Sequence, residues 1–386
     1  MKKNIAVIFG GRSAEHDVSI ITAHTPIIQS LKITGRYEVI PVYIAKDGSW
    51  YSDQAMNDLA YFTKEGWEAE LGKLKKLQIK FDNGLKLIWP GLKSRTVNID
   101  IVFPSMHGTF GEDGSLMGLL RMANVPYVGC DSFSSSVSMD KVLTKQVLEA
   151  DGIPVVPYVW FTRGDWERDK ESYIAKIEKL NWPLFVKPVH LGSSIAITKV
   201  KEKNMLENAI EVALHYDDKV LVEESVENLI EVTLPIIGND ELQLAAIERP
   251  LNKTEFFDFK EKYLSGGKKT GGVNSQYSEI PAKIDADLLD LVAKYGKQTY
   301  HVLGCSGIAR IDFLIEGKTR KVYVNEVNTL PGSLYVHNWK KVGVSAVDLV
   351  TKLISLAEER FRDQQSITYT FNSTILKEAS GPKLGE

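Results

Sequence analysis

The stretch GIARIDFLIEGKTRKVYVNEVNTLPG, residues 307–332, carries the pattern on which the interpretation of this chain depends. It predicts two apolar β-strands joined by a turn that contains a glycine. Side chains alternate between the two faces of a strand, so Arg310 shares a face with Asp312, and Glu326 shares a face with Asn328. A turn centred midway between the strands brings both pairs to the same face of the hairpin.

Two carboxylates, an amide and a guanidinium on one face are typical of a magnesium site. Mg²⁺ prefers oxygen ligands and is completed by nucleotide phosphates rather than by a full protein cage. The alternative is an edge hairpin with one solvated polar face. This segment alone does not decide between them.

The composition is that of a water-soluble protein with more than one hydrophobic core. The chain has 386 residues, of which 44% are hydrophobic and 25% charged, and a chain of this length is expected to form two or three domains. The net charge of −3, from 47 basic and 50 acidic residues, gives no reason to expect nucleic acid as a partner.

The cysteines and the N-terminus favour a cytoplasmic protein. Cys130 and Cys305 lie in apolar surroundings and are too few for a disulfide framework or a four-ligand zinc site, so we expect reduced core thiols. The apolar run at residues 5–9 stops at Gly10, which is too short for a signal peptide, and it predicts a first strand. No run is long enough to predict a membrane span.

The order of strand and helix signals predicts an α/β fold with three units. Residues 1–131 alternate strands and helices, which predicts a parallel sheet, and a polar insertion at 51–98 interrupts them with a hairpin near Asn83. A central unit follows at 132–226, then a third at 227–361 and a C-terminal arm at 362–386. The predicted helices are 14–31, 116–123, 141–150, 203–214, 283–303 and 345–361, and the predicted strands include 37–44, 99–108, 126–129, 183–189, 193–200 and 219–226.

Two glycine-rich segments follow predicted strands of the first unit. In FGGRSAEHDVS (9–19), Ser13 is a candidate helix N-cap and Glu15 lies in the first turn, at the sheet edge where α/β proteins bind ligands. Ordinary capping is the alternative, because the helix dipole favours Glu there. In HGTFGEDG (107–114), His107 ends a buried strand and is either a ligand-binding or a structural histidine.

The central unit contains candidate phosphate-binding residues. Lys187 lies in the apolar strand PLFVKPV, where a buried ammonium needs an anionic partner such as a nucleotide phosphate. The small-residue loop GSSIA (192–196) follows, and its backbone N–H groups suit phosphate binding, although a plain β-turn is the alternative. Lys141 and Lys145 share one helix face, which is usually a solvated face.

The strand VLVEESV (220–226) ends in two carboxylates. Such a strand at an interdomain hinge is suited to adenine recognition through backbone groups, with the downstream Glu231 positioned for ribose hydroxyls. This signal is weak in isolation.

Taken in order, the motifs resemble the D-alanine–D-alanine ligase family of the ATP-grasp superfamily. The matching segments are GGRSAEHDVS, HGTFGEDGS, PYVG, SMDKVLTK, PLFVKPVHLGSS, VLVEES, DFKEKYLS, GCSGIARIDF and VNEVNTLPG, which together run from residue 4 to about residue 360. The resemblance implies an N-terminal α/β domain and two further domains that sandwich ATP. It also implies that ATP phosphorylates the carboxylate of a first D-alanine and that the amine of a second attacks the acyl phosphate. A cytoplasmic homodimer that serves peptidoglycan synthesis is implied as well.

The resemblance assigns roles to residues at matching positions. For substrate and catalysis these are Glu15, His107, Ser193, Tyr263, Arg310, Gly332 and His337. For the nucleotide they are Lys141, Lys187, Ser193, Ser194, Glu223, Glu224, Val226, Glu231 and Lys262. For two Mg²⁺ ions, with Mn²⁺ as a substitute, they are Asp312, Glu326 and Asn328.

Three departures from the family pattern concern the loops. Ala196 stands where the family usually has glycine, and the loop after Tyr263 is longer than usual. The segment 333–345 is shorter, and no serine in it aligns with the one that usually helps to bind the acceptor carboxylate. His337 or Lys340 is a candidate replacement.

The altered segment leaves the acceptor open. D-lactate, D-serine or another amino compound is the alternative to D-alanine, although Tyr263 argues against lactate because ester-forming relatives have Phe there. A non-catalytic ATP-binding module is a further alternative, which the complete set of charged site residues disfavours.

Overall fold

The structure is a computed structural model that describes residues 2–251 and 278–378. Its N-terminal part is built on the sheet β3-β2-β1-β7, in which β1 runs parallel to β2 and β7. The strands are β1 (Lys3–Gly10), β2 (Tyr37–Ile44), β3 (Trp50–Tyr51), β4 (Gln78–Phe81), β5 (Leu85–Trp89), β6 (Arg95–Ile99) and β7 (Ile101–Pro104), and the helices are α1 (His16–Thr22), α2 (Gln29–Thr34), α3 (Ala60–Thr63), α4 (Trp67–Leu71) and α5 (Ser115–Met122).

The start of the first helix differs from the prediction. A π-helical segment (Ala23–Ile28) that contains Pro26 joins α1 to α2. Ser13 is not the N-cap, because the helix begins at His16 and the residue before it is Glu15. The hydroxyl of Ser13 instead accepts the Glu15 N–H at 3.0 Å. This turn holds Glu15 at the carboxyl end of β1, where it is buried.

The other first-unit predictions hold in part, because one predicted strand is shorter and another is absent. The insertion forms a separate antiparallel sheet, β4-β5-β6, and the predicted hairpin turns at Asn83 and Gly84, which both have positive φ. The strand predicted at 99–108 is limited to β7. The segment 126–129 is not a strand, since Tyr127 forms only an isolated bridge with Val102.

The central part is an antiparallel sheet, β10-β9-β11-β8, with helices against it. Its elements are α6 (Ser132–Met139), α7 (Lys141–Ala150), β8 (Tyr158–Thr162), α8 (Arg163–Arg168), α9 (Lys170–Ile177), β9 (Leu184–Pro188), β10 (Thr198–Val200), α10 (Leu206–Tyr216) and β11 (Lys219–Glu224). The strand predicted at 193–200 forms only at its end. Ser193, Ser194 and Ala196 have φ of 54°, 58° and 57°, which no strand tolerates.

The C-terminal part contains the sheet β13-β12-β16-β17, which is antiparallel throughout. Its elements are β12 (Leu229–Gly238), β13 (Leu242–Leu244), β14 (Arg249–Pro250), β15 (Ser278–Glu279), α11 (Ala286–Val302), β16 (Gly307–Glu316), β17 (Val322–Asn328), α12 (Val336–Lys341), α13 (Ala346–Gln365) and α14 (Ile375–Glu378). The register pairs Arg310 with Asn328 and Asp312 with Glu326, as the sequence predicts, and shifts between Asp312 and Phe313.

The last long helix returns to the N-terminal part. Buried residues of α13, including Leu349 and Leu353, share a core with Ile27 and Leu31. This helix ends at Gln365 and so extends four residues past the predicted boundary at 361. Its packing brings the segment after β17 against α1, which closes one side of the site.

Two smaller predictions are answered by the fold. Both cysteines are buried free thiols, as expected. Among the described residues, none of the helices is both long and apolar enough to cross a membrane.

Candidate active site

A cleft is lined by residues from the N-terminal, central and C-terminal parts of the chain. Its lining combines residues from β1–α1, the segment after β7, the start of α7, the loop after β9, and the β16–β17 hairpin. Eight residues predicted from the sequence line it: Glu15, His107, Lys141, Ser193, Arg310, Glu326, Asn328 and Gly332. Segments more than 300 residues apart in the sequence are thus brought into one site.

The hairpin supplies the acidic side of the cleft. Arg310 donates to both carboxylate oxygens of Asp312, at 2.7 and 2.6 Å, and its Nη2 lies 3.9 Å from Glu326 Oε1. Asn328 Nδ2 donates to Asp312 Oδ2 at 3.3 Å. The three predicted metal ligands therefore converge around one guanidinium, as the period-two pattern predicts.

Two lysines of the central part form a cluster around a buried carboxylate, outside the lining of the cleft. Glu223 is ion-paired with both Lys187 and Lys145, the latter at 2.9 Å. Burial opposes ionisation of Glu223, but the ammonium groups of Lys145 and Lys187 lower its pKa below the usual value. The predicted solvated face of α7 is wrong, because Lys145 is 1% exposed and Lys141 lies in the cleft.

Lys141 lies near both the acidic hairpin and the lysine cluster. Its Nζ donates to the carbonyl oxygen of Leu191 at 2.6 Å and to that of Val189 at 3.4 Å. Burial lowers the pKa of Lys141, while the charge of Glu326 raises it and that of Lys187 lowers it further. The acidic hairpin and the lysine cluster are therefore close enough to act on one ammonium group.

The small-residue loop after β9 closes over Glu15. Ser193 Oγ donates to Glu15 Oε1. A Cβ placed on Gly192 would lie 3.1 Å from Glu15 Oε2, so a side chain there would press on the carboxylate. Ala196, which departs from the family's glycine, has a left-handed backbone that favours glycine.

A second acidic group, Glu112, lies beside Glu15 and His107. Its carboxylate accepts the backbone N–H of Gly108 at 3.2 Å and that of Leu330 at 3.4 Å. Burial, together with the charge of Glu15, raises the pKa of Glu112 to about 7. Burial lowers the pKa of His107, which favours a neutral ring whose Nε2 lies 2.9 Å from the Thr22 hydroxyl.

The turn after β17 is strained. Ser333, Leu334 and Tyr335 have φ of 50°, 52° and 50°, three successive left-handed residues none of which is glycine. Such residues cost about 1–2 kcal/mol each and persist where the surroundings enforce them. Here the Tyr335 ring lies 4.9 Å from the Arg310 guanidinium, and the Ser333 N–H donates to Thr22 Oγ1 at 3.1 Å.

Other predicted site residues that the structure describes are not among those lining the cleft. Glu224 accepts hydrogen bonds from the backbone and side chain of Asn181, and Val226 lies in the link between β11 and β12. Glu231 pairs with Leu314 on β16 and so shares the sheet face of Arg310 and Asp312. His337 Nε2 bonds to Glu248 Oε2 at 2.9 Å, Ser194 is in the small-residue loop, and Lys262 and Tyr263 are outside the described residues.

Sequence reasoning missed Lys145, Glu112 and Tyr335. A signal existed for Lys145, because it follows Val142 by three positions and precedes Leu148 by three, on the buried face of α7. Glu112 gave no signal beyond its glycine-rich surroundings. Tyr335 gave none, since its place depends on backbone angles that its residue type disfavours.

A cleft to which an N-terminal α/β part and two parts built on antiparallel sheets all contribute residues, with Lys141 close to the acidic hairpin, is that of an ATP-grasp ligase. Family sequence models described as D-ala D-ala ligase N-terminus and D-ala D-ala ligase C-terminus match residues 4–130 and 147–355. The chain belongs to the D-alanine–D-alanine ligase family.

Individual relatives agree over nearly the whole chain. It is 36% identical to the D-alanine–D-alanine ligase of Thermosipho africanus over 372 residues, which cover 96% of this chain and 98% of the relative. The corresponding ligase of Acetivibrio thermocellus is 37% identical over 383 residues, 94% of this chain and 97% of the relative.

Solved structures show the same fold. The D-alanine–D-alanine ligase of Coxiella burnetii superposes with a TM-score of 0.77 at 31% identity, over 95% of this chain and 96% of that one. The VanG D-Ala:D-Ser ligase of Enterococcus faecalis gives 0.76 at 33% identity, over 92% and 100%.

Proposed function

We propose that the protein is an ATP-dependent D-alanine–D-alanine ligase that forms the dipeptide through a D-alanyl phosphate. The observation that carries the proposal is the meeting of Lys141, Glu326 and Arg310 in one cleft. The γ-phosphoryl group passes to a carboxylate oxygen of the first D-alanine, ADP leaves, and the amine of the second D-alanine displaces phosphate. This chemistry requires that the phosphate charges are neutralised, that the negative charge of the tetrahedral intermediate is stabilised and that water is excluded.

The lysine side is proposed to hold the nucleotide. Lys141 and Lys187 neutralise phosphate charge, and the N–H groups of the loop at Ser193 and Ser194 donate to phosphate oxygens. Lys187 remains ion-paired with Glu223, which limits its motion. Glu224, Val226 and Glu231 are proposed to bind adenine and ribose, with Lys262 over the phosphates.

The hairpin fits divalent cations. Asp312, Glu326 and Asn328 offer oxygen donors on one sheet face, the donor set that Mg²⁺ prefers, and we propose two Mg²⁺ ions with Mn²⁺ as a substitute. Bound there, the ions neutralise the phosphates as charge is transferred. For Asp312 to serve as a ligand, its bidentate bond with Arg310 must loosen.

The first D-alanine is proposed to lie between Glu15 and Arg310. The Glu15 carboxylate, oriented by Ser193, binds the substrate ammonium, and neutral His107 lies beside it. Arg310 and the Gly332 N–H stabilise the oxyanion that develops when the amine attacks. Tyr263 is proposed to help close the site.

A D-serine acceptor is the second candidate. It is favoured by the similarity to the VanG D-Ala:D-Ser ligase, together with the shortened segment 333–345. His337, considered as a replacement for the missing serine, already bonds to Glu248. D-alanine remains the leading acceptor because the named relatives found by sequence are D-alanine–D-alanine ligases.

We further propose a cytoplasmic homodimer, joined through the N-terminal domain, that supplies peptidoglycan synthesis. The proposed domains are 1–131, with the insertion 51–98, then 132–226 and 227–361, with an arm over 362–386.

A phosphate-release assay tests the function. With ATP, Mg²⁺ and D-alanine, we expect phosphate release together with D-alanyl-D-alanine detected by mass spectrometry. Parallel reactions contain D-alanine with D-serine or D-lactate, and L-alanine alone serves as the control. A mixed D-alanyl-D-serine product in excess over the D-alanine dipeptide would favour the second candidate. Release no faster than without amino acid, both with D-alanine alone and with D-alanine plus D-serine, would reject both.

A further inference from the structure

His190 lies between β9 and the small-residue loop, and its ring is held by two carboxylates. Its Nδ1 is 2.9 Å from Asp217 Oδ1, and its Nε2 is 3.3 Å from Asp140 Oδ2. The backbone N–H of His190 also donates to Asp217 Oδ2 at 2.7 Å. The carboxylates are 9% and 6% exposed for Asp140 and Asp217, whereas the His190 ring is 41% exposed.

This geometry requires a doubly protonated ring. An ionised carboxylate only accepts hydrogen bonds, and both ring nitrogens are donors only in the imidazolium. Burial opposes ionisation of both carboxylates, yet hydrogen bonds from His190 hold their pKa values below normal, and Lys219 assists at Asp140. Asp140 and then Asp217 raise the pKa of His190 to about 9.

The charges around the ring come from every element packed against it. Asp140 precedes α7, Asp217 and the exposed Asp218 follow α10, and Lys219 begins β11. Lys219 Nζ bonds to Asp140 Oδ2 at 2.8 Å. The two cations, His190 and Lys219, balance the two buried carboxylates.

The same histidine is linked to Lys141 by two routes. Asp140 Oδ1 accepts the N–H groups of Val142 and Leu143, both at 2.9 Å, and so caps the helix that Lys141 begins. The carbonyl groups on either side of His190, those of residues 189 and 191, accept from Lys141 Nζ. The ring thus joins the start of α7 to the strand end from which the small-residue loop departs.

We propose that the His190 imidazolium is a positioning residue for nucleotide binding: it fixes Lys141 and the loop at Gly192 and Ser193 relative to each other, so that both meet the phosphates of one nucleotide. The inference rests on the proposed function, since it assumes that ATP binds in this cleft. His190 itself touches no phosphate. Loss of its charge leaves Asp140 and Asp217 to repel each other, which loosens the link between Lys141 and the loop.

Nucleotide affinity as a function of pH tests this proposal. We compare wild type, His190→Gln and the surface control His215→Gln by calorimetry with a non-hydrolysable ATP analogue and Mg²⁺. At pH 7.5 we expect His190→Gln to bind about tenfold more weakly, because a charge-assisted hydrogen bond is lost. kcat at saturating ATP stays within about twofold of wild type, while the KM for ATP rises.

The pH profile separates positioning from simple structural support. The other groups of the cleft are the same in each protein, so the readout is the ratio of the dissociation constants of His190→Gln and wild type. This ratio falls toward one between pH 7.5 and 10 as His190 loses its proton. His190→Arg keeps the charge, so we expect it to bind as wild type does at pH 7.5 and more tightly than wild type at pH 10. Thermal unfolding confirms that each variant is folded.

Each result bears on a different claim. Failure of the wild type to bind the analogue rejects the proposed function itself. Normal binding by wild type with an unchanged affinity in His190→Gln overturns the inference about His190 alone. A ratio that stays constant with pH also overturns it, since packing by the side chain would then suffice.

Discussion

Two adjacent regions follow different rules: the hairpin formed by β16 and β17, and the turn at residues 332–335 that comes directly after it. In the hairpin, Arg310 and Glu326 point into the cleft because a strand sends alternate residues to one face. In the turn, three successive non-glycine residues have left-handed backbones. The positions of site residues on strands can therefore be predicted from the sequence, whereas the positions of residues on a strained turn depend on the packing around that turn.

Glu326→Gln tests the role of the hairpin and is expected to have the largest effect. The change keeps the shape of the side chain but removes one of the proposed metal-binding charges. We expect kcat to fall by on the order of 10³-fold, which corresponds to about 4 kcal/mol of transition-state stabilisation. Phosphate release measures the effect, and Glu65→Gln on the exposed surface is the matched control. Undiminished turnover in a folded Glu326→Gln protein contradicts the metal assignment.

The lysine cluster around Glu223 is tested by Lys145→Met. Lys145 is 1% exposed and pairs with the equally buried Glu223. Its removal leaves that carboxylate with one of its two cations, and breaking a buried pair destabilises a protein by about 3 kcal/mol. Urea unfolding measures the loss, with the exposed Lys179→Met as the control. A stability equal to that of the control would mean that Lys187 alone satisfies Glu223.

These two regions show what the sequence predicts well. The alternation of residues 307–328 gave the shared face of Arg310, Asp312, Glu326 and Asn328, and an apolar strand around Lys187 indicated an anionic partner. That partner is Glu223 within the protein, a contact between strands that local patterns do not specify. The resemblance to the family supplied the order of the domains.

The failures have local physical causes. The strand predicted at 193–200 begins with two serines, and Ser193 and Ala196 adopt left-handed angles that their residue types disfavour. Lys145 was interpreted as solvated because lysine usually is, although its spacing matched the buried face. The role of Glu112 could not be predicted from the sequence, because its surroundings form only when folding brings the segments after β7 and β17 together.

Glu112 accepts the N–H of Leu330, which lies between hairpin and turn, and its pKa is raised to about 7 by burial and by Glu15. The folded protein therefore binds this proton more tightly than the unfolded chain, so wild-type stability falls as pH rises from about 4.5 through about 7. Glu112→Gln lacks this loss. We expect it to gain up to about 2 kcal/mol over wild type at pH 8 and little at pH 4.5, since one pKa unit is worth about 1.4 kcal/mol and partial exposure reduces the effect.

Urea unfolding of Glu112→Gln and wild type at both pH values measures this difference. The exposed variant Glu65→Gln should show no such pH dependence. An equal stability difference at pH 4.5 and pH 8 would place the Glu112 titration outside this range.

The turn itself is tested by Tyr335, whose ring faces Arg310 at 4.9 Å. A cation–π contact of this kind contributes about 1 kcal/mol. If the strained turn exists to place that ring, Tyr335→Ala should lower kcat about fivefold through a less ordered Arg310, whereas Tyr335→Phe, which keeps the ring face, should stay near wild type. Steady-state phosphate release distinguishes the variants. Equal losses in both would assign the effect to the hydroxyl group, and no loss in either would leave the turn's strain to be explained by the Ser333 N–H bond to Thr22, which fixes the same segment against α1.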